Sequence, residues 1–312
     1  MDKEQYLVSI CIPTYNRAPY LKQCLDSLVC QPEFLEGKVE IVISDNASTD
    51  ETKEIASIYV QRYKNIKYYR NLTNTGFKNL GIAIDRSHGC LRKICNDDSI
   101  FFPGSLKFFC DLANIYKNEK PVLYFSNEKK QTTEIETFSN PEQFLKRVSF
   151  NITWIGTFSI WDIDCKSLKE GIESSHSNFW HVERTFELIS HKRNMMVISG
   201  RFQKRVPLRR KNLGYGLYQT FYLNYMGMIQ ELVEQDVISS KCQKMLEKDL
   251  FYHFFLPWIL LWEQNDNKFI FSSKENLRNL VFEQCRKRSY WSVFYAKYLL
   301  KKAKAKLKMM KW

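Results

Sequence analysis

The triplet Asn96-Asp97-Asp98 puts two adjacent carboxylates directly after a short apolar run, LRKIC. Neighbouring carboxylates are costly unless a cation or hydrogen-bond donors compensate them. Two hard oxygen ligands suit Mg2+ or Mn2+, which typically keeps waters and binds substrate phosphates. The alternative is a solvated turn with an Asp capping the next helix. The segment Pro13-Thr14-Tyr15-Asn16-Arg17 offers an aromatic plane and a fixed cation. A nucleotide base could stack on Tyr15 while Arg17 meets phosphate, or Tyr15 could pack locally in a turn. Asp45 follows the apolar run VEIVIS. Its carboxylate could accept from a base N–H or a ribose hydroxyl, or cap the following helix. Asn74-Thr75-Gly76 has the composition of a tight turn, since glycine permits positive φ. From there Asn79 could reach a sugar or phosphate, or bond locally. The chain has no P-loop and no dinucleotide glycine fingerprint, which excludes ordinary kinases, P-loop ATPases and NAD enzymes. Phosphates would have to be handled by metal and side chains.

These residues need elements to hold them. Residues 7–12 form a β-rich apolar run that Pro13 should halt. Apolar groups at Leu21, Leu25, Leu28 and Val29 give a helical period. Residues 39–44 make a buried strand, and DNASTDET then leads into a helix to about Tyr63. Short strands follow at 66–69, 91–95 and 122–125, with helices at 77–87 and from Pro103 to about Tyr116. Residues 152–161 alternate like a strand, and residues 178–189 have a helical period. Strands alternating with helices imply a mostly parallel α/β sheet. Ligands bind such sheets beyond the carboxyl ends of the strands. PTYNR, SDNASTD and NDD all fall there, so three strand ends should converge on one polar crevice.

The order SICIPTYNR, IVISDNASTDET, NTGFKNLG and ICNDDSIFFPGSL resembles the family 2 glycosyltransferases, across about residues 5–125. The spelling NDD-x-x-F-x-P-G is similar to the branch that includes bacterial O-antigen transferases such as abequosyltransferases. The resemblance implies a GT-A fold, Rossmann-like, with helices flanking a mostly parallel sheet. It also implies inverting hexosyl or deoxyhexosyl transfer from a nucleotide-sugar donor with a divalent metal, Mg2+ or Mn2+. Carried over by position, Pro13, Thr14 and Tyr15 would line the base and ribose, and Asp45 would hydrogen-bond the base. Asn74, Lys78 and Asn79 match the N-x-G and R-N elements, with Lys78 in place of Arg. Asn96, Asp97 and Asp98 match the D-x-D motif, with Asn96 in place of its first Asp and Asp98 as the metal ligand. In the helix-start segment 179–186, Glu183 falls where the family carries its catalytic Asp, and Val182 replaces the preceding Glu. His181 is the competing base.

The 312 residues carry a formal net charge of +13. The segments 201–211 and 286–311 hold six and ten basic residues and no acid. Those sixteen charges exceed +13, so the remainder of the chain is net −3. A nucleic-acid binder would spread basic and aromatic residues over the folded face, so nucleic acid is not an expected partner. Arg201 or Arg205 could instead be phosphate partners. In the last segment Lys297, Lys301, Lys304, Lys308 and Lys311 share one helical face. Val293, Ala296, Leu299, Leu300, Ala303, Leu307 and Met310 form a stripe beside it, with Trp291, Tyr295, Tyr298 and Trp312 as interfacial aromatics. This is the pattern of a helix lying on an anionic membrane surface, and a helix packed on the domain with a solvated lysine face is the alternative. The N-terminus is not a signal peptide, no apolar stretch is long enough to span a membrane, and the nine cysteines lack a C-x-x-C pair. The expectation is a cytoplasmic enzyme, peripheral on the inner face of the membrane. It would have a catalytic domain at 1–215 and a helical region at 216–312, and would act on a glycan or lipid-linked oligosaccharide in polysaccharide synthesis. A nucleotidyltransferase and a non-catalytic nucleotide-sugar binder are the competing readings.

Overall fold

The strands of the first part of the chain, in order, are β1 (Val8–Thr14), β2 (Val39–Asp45), β3 (Ile66–Arg70), β4 (Leu91–Ile94), β5 (Ser99–Phe101), β6 (Val122–Asn127), β7 (Glu134–Phe138), β8 (Ser159–Trp161), β9 (Met195–Gly200) and β10 (Gln203–Arg205). They come from a computed structural model that describes residues 6–128, 132–165, 168–175, 178–191, 193–206, 211–212, 215–263, 269–270 and 276–309. The chain divides into two compact units. One is Met1–Phe144 with Asn151–Pro207, and the other is Leu145–Phe150 with Leu208–Trp312.

In the first unit the central sheet has the order β3-β2-β1-β4-β8. Its first four strands are parallel and β8 is antiparallel to β4, as the alternation of runs implies. Thr14 pairs with Asp45 at the carboxyl ends of β1 and β2. Every residue of β2 is buried, which is why it is continuously apolar apart from Glu40, Ser44 and Asp45. At the other end of the sheet, Glu40 accepts from Ser9 Oγ at 2.6 Å and from the Gly89 amide at 3.2 Å. A Cβ on Gly89 would fall 2.5 Å from Ser9 Oγ, so only glycine fits. The amino end of the sheet is thus sealed by its own polar groups, and the carboxyl end is left for the loops. A second sheet of order β6-β9-β7 and the β5–β10 ribbon complete the unit. Phe109, Phe125 and Phe202 interlock in the core, and Lys93 Nζ lies 4.4 Å over the Phe125 ring while donating to the Gly156 carbonyl.

Several local expectations are corrected. β1 continues through Pro13 to Thr14, because pairing with β4 stops at Cys11 and Pro13 lies past that ladder. Residues 152–161 are mostly tight turns, and the strand within them is limited to Ser159–Trp161. Thr157 returns both its amide and its hydroxyl to the Trp154 carbonyl, a local bond that competes with a strand ladder. The helix expected at 77–87 is a 3-10 turn, Gly76–Lys78, leading into Asn79–Asp85. The helix after Pro103 starts at Ser105, behind Gly104 at φ 82°.

The second unit is mostly helical where described: Tyr225–Glu234, Ser240–Asp249, Leu256–Glu263, Leu277–Arg286 and Trp291–Met309, with wider turns at Gln219–Asn224 and Leu250–Phe255 and one short parallel pair of Lys211–Asn212 with Phe269–Ile270. Arg288 grips buried Glu247 with two hydrogen bonds, and Tyr222 adds a third. The last helix is seated by Phe294 and Tyr298, four residues apart and both buried against Phe282. Tyr298 also donates to Glu263 at 2.8 Å. Tyr298 is therefore a packing residue and not an interfacial aromatic. The expected apolar stripe is on the outside: Val293, Leu299 and Leu300 are 55%, 47% and 63% exposed. Met310, Lys311 and Trp312, the side chains of Leu307 and Lys308, and residues 207–210 lie outside the described residues. Among the described residues no helix is long and apolar enough to cross a membrane.

Candidate active site

The loop after β1 is laced to the loop after β2. Asn16 adopts φ 52°, a left-handed conformation that asparagine tolerates better than most residues. Its amide donates to Ser48 Oγ and its side-chain oxygen accepts from the Thr49 amide at 2.7 Å. Asp50 accepts from the Ala18 amide and from the Thr52 amide and hydroxyl, so one carboxylate serves the starts of two helices. This tie leaves Tyr15 44% exposed beside Pro13 and Arg17, with its ring free to stack.

Asp45, at the end of β2, is fully buried. Tyr68 OH donates to Oδ2 at 2.7 Å, the Ser48 amide to Oδ1 at 2.9 Å, and Arg70 lies at 3.5 Å. Its carboxylate closes the turn, and lone pairs remain for one further donor. Burial and the Asp45 hydrogen bond push the Tyr68 phenol well above its ordinary pKa. Asn46 is the centre of the adjacent network. Its side chain donates to Asn74 Oδ1 and the Gly76 carbonyl, and accepts from Asn71 and Thr75. Asn74 takes the Gly76 amide as well. Asn79 is buried and donates to the Ser44 carbonyl while accepting from Ser44 Oγ and Asn71. Both its groups are committed to holding the loop. Lys78 reaches the Glu173 carbonyl at 3.0 Å.

The carboxylates of the third loop meet the first. Thr14 Oγ1 donates to Asp97 Oδ2 at 2.9 Å, and Arg17 Nη1 reaches Asp97 Oδ1 at 3.0 Å and Asp98 Oδ2 at 3.5 Å. A second arginine arrives from far along the chain. Pairing of β10 with β5 sets Arg205 opposite Ser99. Its guanidinium grips Asp98 through Nε to Oδ1 at 3.0 Å and Nη2 to Oδ2. Burial works against the Arg205 charge, but the bonds and charge of Asp98 outweigh it and hold its pKa above the ordinary value. Asp98 is wholly buried, and a buried carboxylate must be compensated. Two guanidiniums, Arg17 and Arg205, supply that compensation, and the Thr14 hydroxyl joins Arg17 on Asp97. The two carboxylates suit a hard divalent cation in chemistry and in their demand for positive charge, with no third acidic, histidine or cysteine ligand beside them among the described residues; the Arg205 guanidinium stands where such charge is required. Asn96 is half-buried, and a Cβ on Gly156 would lie 3.6 Å from its amide nitrogen.

His181 and Glu183 lie on the helix Trp180–Ser190, which packs against Asn79–Asp85. Gly81 makes room beside it, since a Cβ there would fall 2.4 Å from Ile172 and 3.1 Å from Trp180. His181 is buried between Phe158 and Phe179. Its Nε2 must be the donor to the Thr153 carbonyl at 3.0 Å, and Nδ1 has no partner among the described residues. Burial pushes its pKa down to about 4, so the imidazole is neutral at neutral pH. Glu183 is half-buried in the first turn.

The structure thus joins Thr14, Arg17, Asp97 and Asp98 by direct contact, and links Asp45, Asn74 and Asn79 through Asn46 and Asn71. Asn46 as a hub and Arg205 as the partner of Asp98 are additions that sequence reasoning missed. The polar run DNASTD was the available signal for Asn46, and the basic stretch after β9 was the signal for Arg205. Arg201 stacks over Phe102 at 4.3 Å.

Residues 9–113 match the family model "Glycosyl transferase family 2". The chain is 32% identical to abequosyltransferase RfbV of Salmonella typhimurium over 139 residues, covering 44% of this chain and 40% of that one. It is 25% identical to the minor teichoic acid biosynthesis protein GgaA of Bacillus subtilis over 131 residues, 40% of this chain and 29% of that one. The chain therefore spans less than half the length of these curated relatives. Among solved structures, the first 349 residues of S. aureus TarS, in complex with UDP-GlcNAc, align with a TM-score of 0.58 at 21% identity, over 82% of this chain and 77% of that one. A mannosyltransferase of Pyrobaculum calidifontis, in complex with GDP-Man and Mn2+, aligns at 0.51 with 15% identity, over 98% and 88%.

Proposed function

We propose that the chain is a family 2 glycosyltransferase of GT-A type fold, and that it transfers a sugar from a nucleotide-sugar donor to a glycan acceptor with inversion. The observation that carries this reading is the convergence of the β1, β2 and β4 loops, where Thr14 and Arg17 bind the Asp97–Asp98 pair. The complexes of TarS with UDP-GlcNAc and of the mannosyltransferase with GDP-Man and Mn2+ support the donor class. The base would stack on exposed Tyr15 between Pro13 and Thr14, with Asp45 accepting from its edge. Asn74, Lys78, Asn79 and Asn96 would shape the pocket for ribose and diphosphate.

Asp98, assisted by Asp97, would hold Mg2+ or Mn2+. When bound, that ion would supply the positive charge that a diphosphate leaving group needs. Arg17 stays near the carboxylates and can meet the α-phosphate. Glu183 takes the proton from the acceptor hydroxyl as its oxygen attacks the anomeric carbon. In the same displacement the bond from that carbon to the diphosphate oxygen breaks, and the nucleotide leaves with the electron pair. His181 is the weaker candidate for the base, because its one N–H is spent on Thr153 and its ring is buried.

Catalysis is assigned to residues 1–215 and membrane contact to 216–312. The exposed Val293, Leu299 and Leu300, flanked by exposed Lys297, Lys301 and Lys304, suit an anionic lipid surface. This favours a lipid-linked acceptor in surface polysaccharide synthesis, as do the relatives named for abequose transfer and teichoic acid synthesis. The test is a panel of UDP-, GDP-, CDP- and dTDP-sugars with Mn2+, read by thermal shift and nucleotide release. One donor class should stabilise the protein and be consumed. Silence across the panel would overturn the reading.

A further inference from the structure

Asp98 is the proposed metal ligand, yet both of its oxygens are held by Arg205. Arg205 reaches it from β10, 107 residues away in sequence. Of the two partners, Asp98 is wholly buried, whereas the Arg205 side chain is 48% exposed. Asp98 is also anchored by its backbone, whose carbonyl accepts from the Val206 amide at 2.8 Å. The carboxylate is the fixed member of the pair, and the guanidinium is the member that has solvent to move into.

We propose that Arg205 is an internal counter-ion that competes with the divalent cation for Asp98 and, once displaced, binds the donor's diphosphate. This deepens the proposed glycosyltransferase reading and rests on it. A bidentate guanidinium and a divalent cation cannot both own the two oxygens of one carboxylate. Metal binding to the donor-free enzyme therefore has to break two charge-assisted hydrogen bonds. The freed guanidinium is left beside the cation, where a planar fork of N–H donors matches phosphate oxygens as well as it matched the carboxylate. The donor thus gives Arg205 a new partner, and metal and donor bind cooperatively. By linkage, each must tighten the other by the same factor. The device keeps Asp98 compensated throughout and disfavours metal binding without a donor.

The test is Mn2+ titration of the full chain by electron paramagnetic resonance, then titration of UDP, GDP, CDP and dTDP at saturating Mn2+. In R205Q, Mn2+ alone should bind roughly 10- to 100-fold tighter than in wild type, the equivalent of the charged hydrogen bonds it no longer displaces. Nucleoside diphosphate binding at saturating Mn2+ should weaken by a similar factor. K204Q removes one charge from the exposed neighbour on β10 and should change either constant by less than about threefold. Unchanged or weaker Mn2+ binding in R205Q, or an equal effect in K204Q, would overturn the proposal. If R205Q loses cooperative unfolding, R205K carries the test, since it keeps the charge but loses the fork. Tighter Mn2+ binding than wild type supports the proposal, and equal or weaker binding overturns it. Failure of wild type to bind any of the four nucleotides would count against the donor reading and leave the Mn2+ comparison intact.

Discussion

Replacing His181 by Gln isolates the titration of one buried ring. Gln can keep the donor to the Thr153 carbonyl while removing the titratable nitrogen. In the folded chain the His181 pKa is pushed down to about 4 from an ordinary 6.5, chiefly by burial, with the Thr153 bond opposing. As pH falls, the unfolded chain therefore takes the proton first. The stability that comes from keeping the ring neutral is fully present above about pH 6.5 and is lost as pH falls towards 4. The separation of the two values corresponds to about 3 kcal/mol at most. By pH 5.5 about 1.4 kcal/mol of it should be gone. The assay is urea unfolding of wild type and H181Q between pH 7.5 and 5.5. The difference between the two curves should fall by that amount, whatever the other histidines contribute to both. Transfer activity of H181Q at pH 7.5 should stay within a few-fold of wild type. A flat difference curve would refute the burial argument. A large loss of kcat with a displaced pH profile would make His181 the base after all.

Glu183→Gln should lower kcat by about 10^2- to 10^4-fold with little change in donor KM, as expected for loss of a general base. Steady-state kinetics at several acceptor concentrations separates the two constants, and an unchanged kcat would move the base elsewhere. Asp98→Asn should weaken Mn2+ binding by at least about 100-fold, since even outer partners of a metal are worth 10- to 100-fold; calorimetric titration reads this directly, and retained affinity would remove Asp98 from the metal site. The double variant Leu299→Glu with Leu300→Glu should lose flotation with anionic liposomes, where each nearby lysine contributes about 1 kcal/mol. Because both side chains are exposed, its unfolding temperature should be unchanged, and equal flotation would remove the membrane contact.

The parts of this fold that were legible in the sequence are those encoded by near neighbours. The buried runs of β1 and β2 and the polar loops at their ends follow from one short stretch each, and parallel pairing then forces the loops together. The partner of Asp98 was not legible, because Arg205 arrives on a three-residue strand whose position depends on pairing with β5. Nothing in the local spelling of FQKR announces that pairing. Residues 152–161 misled because alternation is also satisfied by tight turns, which local bonds such as those from Thr157 to Trp154 hold in place. In the last helix periodicity defines the faces but not which one packs. Phe294 and Tyr298, spaced one turn apart, take the inner position against Phe282, and the aliphatic stripe is left outside. Asp45 and Asn79 illustrate the limit for sites: types and spacing select the right polar loops. They do not show which members are already spent on holding those loops closed.

Inverting sugar transfer at the Asp97–Asp98 site would leave its mark on the anomer that is released. Proton NMR of the first sugar anomer released to water from the responding donor, with Mn2+, tests it most directly. The expected product has the configuration opposite to that of the donor, and release should be lost in Asp98→Asn. Release with the donor's own configuration, or undiminished release without Asp98, would contradict it.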